Sequence, residues 1–234
     1  MDIEIGPTDV YQPIPNPFFL INPTTIRMSW YIMGFLVLLV IFVRLKIRQR
    51  NPGRLQTMLE TIVGAFDGLC KSTLGERGRS YLPFIGSLFL FVWMSNIIGI
   101  IPTFEEPTKD ANTPIGLMII AILTAHISAI RIKGIGQYIK EYFEPAFRIR
   151  GVWIPNLLFA PLNVVGEFGK AISMAFRLFG NIFGGGIIVL VISSLVSFVG
   201  LPPFLNLFLG LFSGTVQAFV FSMLALTYTA VATS

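Results

Sequence analysis

Two apolar segments near the C-terminal end constrain this chain most, about Pro155–Val199 and Phe204–Thr233. As one helix, the first, of about 45 residues, would reach roughly 67 Å at 1.5 Å per residue. The second would reach roughly 45 Å, whereas the hydrocarbon core of a bilayer is about 30 Å thick. Neither segment fits a soluble core, and neither can stand upright in a membrane. Each must tilt, bend or run partly outside the core, with Pro202-Pro203 predicted as the hairpin turn between them. Composition agrees: 54% of residues are hydrophobic and 12% charged, against about 25% charged in soluble domains, and the mean hydropathy is +0.76. The predicted class is an all-α polytopic membrane protein. It has about five membrane helices plus one amphipathic interfacial helix, the last two membrane helices forming a long, strongly tilted hairpin.

Charge orders the spans into one integral membrane domain over residues 1–234. The predicted first span, 28–43, ends at the basic run Arg44-Leu-Lys-Ile-Arg-Gln-Arg50. The positive-inside rule places that run in the cytoplasm and the acidic segment 1–27 outside. Over 54–75, Leu55, Met58, Leu59, Ile62, Val63, Phe66 and Leu69 recur at helical spacing between Glu60, Asp67 and Lys71. That pattern predicts an amphipathic helix in the interface plane or against partner helices. Span 2 (81–101) leads at Pro102 to a loop with Glu105, Glu106 and Asp110, which reads as outside. Span 3 (114–130) leads to a loop with Arg131, Lys133, Lys140, Arg148 and Arg150, which reads as inside. The segments 155–199 and 204–233 then return the C-terminus to the cytoplasm.

Several functions are excluded. One cysteine, Cys70, rules out an internal disulfide and a multi-cysteine metal site, and one histidine, His126, rules out a histidine cluster. Cys70 reads as a small apolar residue and His126 as structural. No GxxxxGK phosphate loop occurs. No catalytic, cofactor or metal site is predicted. The net charge of +5 lies beside apolar spans, where it orients a membrane protein and touches anionic lipid; no nucleic acid is expected. The acidic start, without Lys or Arg before Arg27, does not read as a signal peptide.

Glu167, Lys170 and Arg177 lie inside the first long segment, and charges at membrane depth mark function by default. Glu167 and Lys170 are spaced to pair on one helix face. Arg177 stays charged and has no acidic residue within reach in any span, so water or another subunit must serve it. At 100° per residue, Lys170, Ser173, Arg177, Gly180, Asn181 and Gly184 form one stripe, with a GxxxG pair that admits another backbone. A second GxxxG, Gly210 and Gly214, lies in the last segment, so packing against that segment is the other reading of the stripe. Asn206, Ser213, Gln217 and Tyr228 are spaced to share one face there, and in hydrocarbon they need partners or water.

At Arg177-Leu-Phe-Gly-Asn181 the chain resembles subunit a of the F-type ATP synthases, the membrane stator of the Fo sector. The likeness extends to Asn96-Ile-Ile-Gly-Ile-Ile-Pro102, Pro107-Thr-Lys-Asp-Ala-Asn-Thr113, Pro161-Leu-Asn-Val-Val-Gly-Glu-Phe-Gly-Lys170, Gln217-Ala-Phe-Val-Phe221 and Tyr228. It implies a non-catalytic, multi-pass subunit of a bacterial plasma membrane, beside the c-ring and bound to peripheral-stalk b and other synthase subunits. It implies that two offset half-channels couple H⁺ or Na⁺ flow to rotation, with Arg177 between them. Half-channel candidates are Glu167, Lys170, Ser173, Asn181, Asn206, Ser213, Gln217 and Tyr228.

The chain departs from many relatives at Gly186 and Gly210, where the family often has an acidic residue and a histidine. That puts a side-chain proton relay in doubt. A secondary transporter with a midplane site is the alternative, but transporters are built on internal repeats and none is visible. A passive scaffold would not need Arg177.

Overall fold

The computed structural model describes residues 22–47, 53–101, 104–143, 147–149, 152–154, 159–195 and 200–234. Most of the predicted outer N-terminal segment, the end of the basic run, Pro102, and the two ends of the 155–199 segment lie outside these residues. Among these residues the fold is all-helical apart from one short hairpin. Five helical stretches among the described residues are long and apolar enough to cross a membrane: Pro23–Lys46, Gln56–Ile100, Asn112–Lys133, Ala160–Leu195 and Leu201–Thr233.

Helix α1 (Pro23–Lys46) starts where Asn22 accepts a hydrogen bond from Thr24 N and Pro23 opens the first turn, a strong start signal because both answer orphan helix-end groups. Helices α2 (Arg54–Leu74) and α3 (Gly78–Ile97) are joined by a 3-10 turn. Two glycines make that join. Gly75 has φ 63, a conformation side chains disfavour, and a Cβ on Gly78 would overlap the carbonyl of buried Cys70. Helix α4 (Asn112–Lys133) breaks at Gly134 (φ 82) into the short α5 (Ile135–Glu141). The hairpin β1 (Phe147–Ile149) and β2 (Val152–Ile154) pairs antiparallel, Phe147 opposite Ile154.

Helix α6 (Phe159–Leu195) is unbroken over 37 residues. The last stretch is α7 (Leu201–Phe208), a π turn (Leu209–Ser213) and α8 (Gly214–Thr233). Pro202 and Pro203 do not form the connecting turn: they lie in the opening turn of α7. Proline's fixed φ suits a first helical turn, where its missing N–H costs nothing. The wide π turn also shifts the register between Asn206 and Ser213, so counting at 100° per residue does not carry across it.

Contacts divide the chain into two units. The first comprises residues 1–53, 90–113 and 179–218, the second 54–89, 114–178 and 219–234. Polar pairs lock the first. Asn96, fully buried, donates to Gly214 O at 3.0 Å and accepts from Thr108 Oγ1 at 2.7 Å. Trp93 Nε1 donates to Thr215 Oγ1 at 2.9 Å, and Thr25 Oγ1 donates to Asp110 Oδ2 at 3.0 Å. Gly210 and Gly214 face α3 and its 3-10 end, where Cβ atoms would lie 2.7 Å from Ile100 and 2.9 Å from Asn96.

Aromatic and polar contacts hold the second unit. Phe66 meets Phe89 and Phe219 with ring centroids 4.9 and 6.4 Å apart. The Tyr138 hydroxyl lies 2.7 Å from both His126 Nδ1 and the Tyr142 hydroxyl. Lys133, nearly buried, pairs with Glu141 at 2.7 Å, and Asn163 Nδ2 donates to Tyr142 O at 2.8 Å. These bonds tie α5 back to α4 and give His126 a structural partner.

Candidate functional site: an exposed arginine stripe and a polar cavity

The two flanks of α6 differ. Ala171, Met174, Ala175, Leu178 and Ile182 are buried. Lys170, Ser173, Arg177, Gly180 and Asn181 are exposed. The 3.6-residue period produces this split: small and apolar side chains recur on the buried flank, polar and small ones on the other. Among the described residues, the Arg177 guanidinium has no ion pair or hydrogen bond. A Cβ added at Gly180 or Gly184 would meet nothing within 4 Å. The two glycine pairs therefore differ in use: Gly210 and Gly214 admit α3, while Gly180 and Gly184 stay open.

In the second unit, Lys170 Nζ pairs with Glu167 Oε1 at 2.9 Å, both side chains well exposed. The Tyr228 hydroxyl is 3.5 Å from Lys170 O, at the weak limit of a hydrogen bond.

In the first unit, the other polar candidates converge. Asn181 Nδ2 donates to Ser213 Oγ at 2.8 Å, and Ser213 Oγ donates back to Asn181 Oδ1 at 3.1 Å. Asn206 Nδ2 donates to Gly99 O at 3.2 Å. All three line a cavity of about 430 Å³. Gln217 is buried, and its Nε2 has no hydrogen-bond partner among the described residues. An orphan buried amide donor costs about 1–3 kcal/mol.

Three charged cavity residues escaped the sequence reading: Glu105, Glu106 and Lys109, from the loop after α3. In sequence they mark only an acidic outer loop. Gly99 and Gly186 are the signal that finds them. A Cβ at Gly99 would overlap the Glu106 carboxylate, and one at Gly186 would lie 3.8 Å from Lys109 Nζ. Burial pushes the Glu106 carboxyl up to about 7, against the opposing pull of Lys109.

Among the described residues, five apolar helical stretches, one of them carrying an arginine unpaired there on an open face, define a multi-pass helical membrane protein. The chain belongs to the family described as ATP synthase A chain, which it matches over residues 26–230. It is similar to ATP synthase subunit a of Geotalea daltonii, 34% identical over 207 residues covering 87% of this chain and 84% of that one. The subunit a of Moorella thermoacetica is 34% identical over 226 residues, 97% of this chain and 96% of the relative. That of Desulforamulus reducens is 33% identical over 215 residues, 89% and 78% respectively.

Proposed function

We propose that this chain is the ion-translocating stator of a rotary F-type ATP synthase in a bacterial plasma membrane. Its N-terminus faces outward and its C-terminus the cytoplasm. The chain has no catalytic role of its own. It presents the exposed α6 stripe to a c-ring and binds peripheral-stalk b and the other subunits elsewhere. The observation that carries this reading is Arg177: a permanent charge without a partner among the described residues, on a face left open by Gly180 and Gly184, within a chain of this family.

The physics follows from that placement. A ring carboxylate that reaches Arg177 meets a fixed positive charge that no described residue of this chain pairs with. The pairing favours the ionised carboxylate, so the carried ion is released to one aqueous route. Past the arginine, the carboxylate takes up an ion from the other route. The same charge repels a cation moving straight from route to route. One charge crossing 100 mV is worth about 2.3 kcal/mol, and each such step turns the ring. The Asn181, Asn206 and Ser213 cavity supports an aqueous route from the outer side, and the buried amide of Gln217, without a partner among the described residues, offers a donor to water. At about 54 and 50 Å along their axes, the last two helical stretches exceed the 30 Å core, which supports a steep lean along the ring.

The test is Arg177→Ala in the assembled synthase, with ATP-driven pumping followed in inverted membrane vesicles. Coupled pumping is expected to vanish while the soluble head still hydrolyses ATP. Normal coupled pumping would sink the stator reading.

A further inference from the structure

The stator reading leaves a chemical gap: its outer route carries glycine at 186 and 210, so neither helix supplies a titrating group to the cavity. The fold fills this gap from the loop. Glu105, Glu106 and Lys109 line the cavity, Lys109 Nζ stands close to Gly186, and the Glu106 carboxylate occupies the space a side chain at Gly99 would take. We propose that Glu106 is the proton-exchanging group of the outer half-channel, a loop carboxyl taking the place of side chains absent from the helices. This rests on the stator reading and assigns that site's outer proton donor and acceptor.

The surroundings suit the role. Every charged group at the cavity comes from the loop itself: Glu105, Glu106 and Lys109. The helices contribute the amides of Asn181 and Asn206, the hydroxyls of Ser193 and Ser213, glycines and apolar side chains. Asp110, next along the loop, is already engaged by the Thr25 hydroxyl and Asn112 N. Glu106 has no hydrogen bond or ion pair within 4 Å to its carboxylate among the described residues. It therefore faces the cavity with its oxygens free for water. Burial opposes its ionised form and Lys109 favours it, and the balance near 7 lets it both take and give a proton at neutral pH. The step is a simple exchange. The carboxylate takes a proton from water on the outer side and becomes a carboxylic acid. It then releases that proton to water within the cavity and is a carboxylate again. Asn181 and Ser213, which bond one another at the cavity wall, are polar without titrating.

The experiment is the initial rate of ATP-driven proton pumping per assembled complex, in inverted vesicles without added sodium, from pH 6 to 8.5. Assembly is monitored by co-purification with the ring. Glu106→Gln keeps shape and removes titration; it is expected to slow pumping by about tenfold and to abolish the limb of the rate profile near neutral pH. Glu106→Asp should assemble, keep most activity and shift that limb. Gly186→Glu added to Glu106→Gln returns a carboxyl to the same cavity from α6, and should restore part of the rate. A Glu106→Gln complex with wild-type rate and profile overturns the proposal. So does an unshifted profile in Glu106→Asp, or pumping that requires sodium. If Arg177→Ala is dead while Glu106→Gln is normal, only the assignment of Glu106 falls. If Arg177→Ala pumps normally, the stator reading itself falls.

Discussion

Asn181 and Ser213 hold one another in both directions, amide to hydroxyl at 2.8 Å and hydroxyl to amide oxygen at 3.1 Å, across 32 residues of sequence. The pair ties α6 to the π turn at the wall of the cavity. A hydroxyl both accepts and donates, so one serine satisfies the amide nitrogen and the amide oxygen together. Hydrogen bonds between membrane helices average about 0.6 kcal/mol in double-mutant cycles. Asn181→Val and Ser213→Ala should therefore each lower stability modestly, with a coupling of about 0.5–1 kcal/mol in the combined variant. Thermal or detergent unfolding of the purified chain measures it, and additive effects would show that the pair is not formed.

Hydropathy and charge make the helices legible, because a membrane span is a long-wavelength signal. Period makes the two flanks of α6 legible, since the small residues at 171 and 175 and the polar ones at 173 and 177 separate at 100° per residue. Three features were beyond such counting. The π turn at Leu209–Ser213 has no side-chain period of its own, so a count at 100° per residue could not foresee that Asn206 and Ser213 would line one cavity. Pro202-Pro203 reads equally as a turn or as a helix start, and packing decides for the start. Glu106 reaches the cavity because Gly99, seven residues earlier, lacks a side chain; no local pattern encodes that three-dimensional fit.

The open face of α6 predicts a partner at close range. Cysteines placed at Ser173 or Asn181 and on the outer face of a ring helix should crosslink on oxidation in the assembled complex, because a disulfide needs Cα atoms within about 7 Å. Gly180→Leu should reduce that yield severalfold by filling the gap through which a backbone approaches. Efficient crosslinking only to cysteines within the same chain would assign the stripe to internal packing.

Glu106 also predicts a pH dependence of stability. Its carboxyl lies at about 7 in the folded chain against an ordinary 4.5. Between those values the folded chain keeps a proton that the unfolded chain has lost. More protons bound in the folded state means that stability falls as pH rises. The contribution is thus full below about 4.5 and is lost as pH rises through about 7. Glu106→Gln removes this slope, so its melting temperature relative to wild type should climb from pH 5 to pH 8. A constant difference across that range would show that the carboxyl is not buried in its seat.

Glu167 and Lys170 pose the sharpest choice, between a salt bridge and a channel group. They pair at 2.9 Å, one turn apart on α6, and both are well exposed. An exposed pair stabilises little, with a median near 0–1 kcal/mol in water; in a membrane, removing one partner leaves the other charge stranded. Pairing alone therefore predicts that Glu167→Gln and Lys170→Met each impair assembly, and that the double variant recovers both assembly and pumping. A channel role predicts a different double variant, assembled yet slow, because the only acidic side chain on the two longest C-terminal helices is gone. We favour the channel role for that reason, and expect initial pumping rates several-fold below wild type per assembled complex, with an altered pH profile. The measurement is the rate across pH and sodium concentration, normalised to assembled ring. Wild-type rates throughout would leave Glu167 and Lys170 as a neutralised pair whose work is to let α6 carry two charges at that depth.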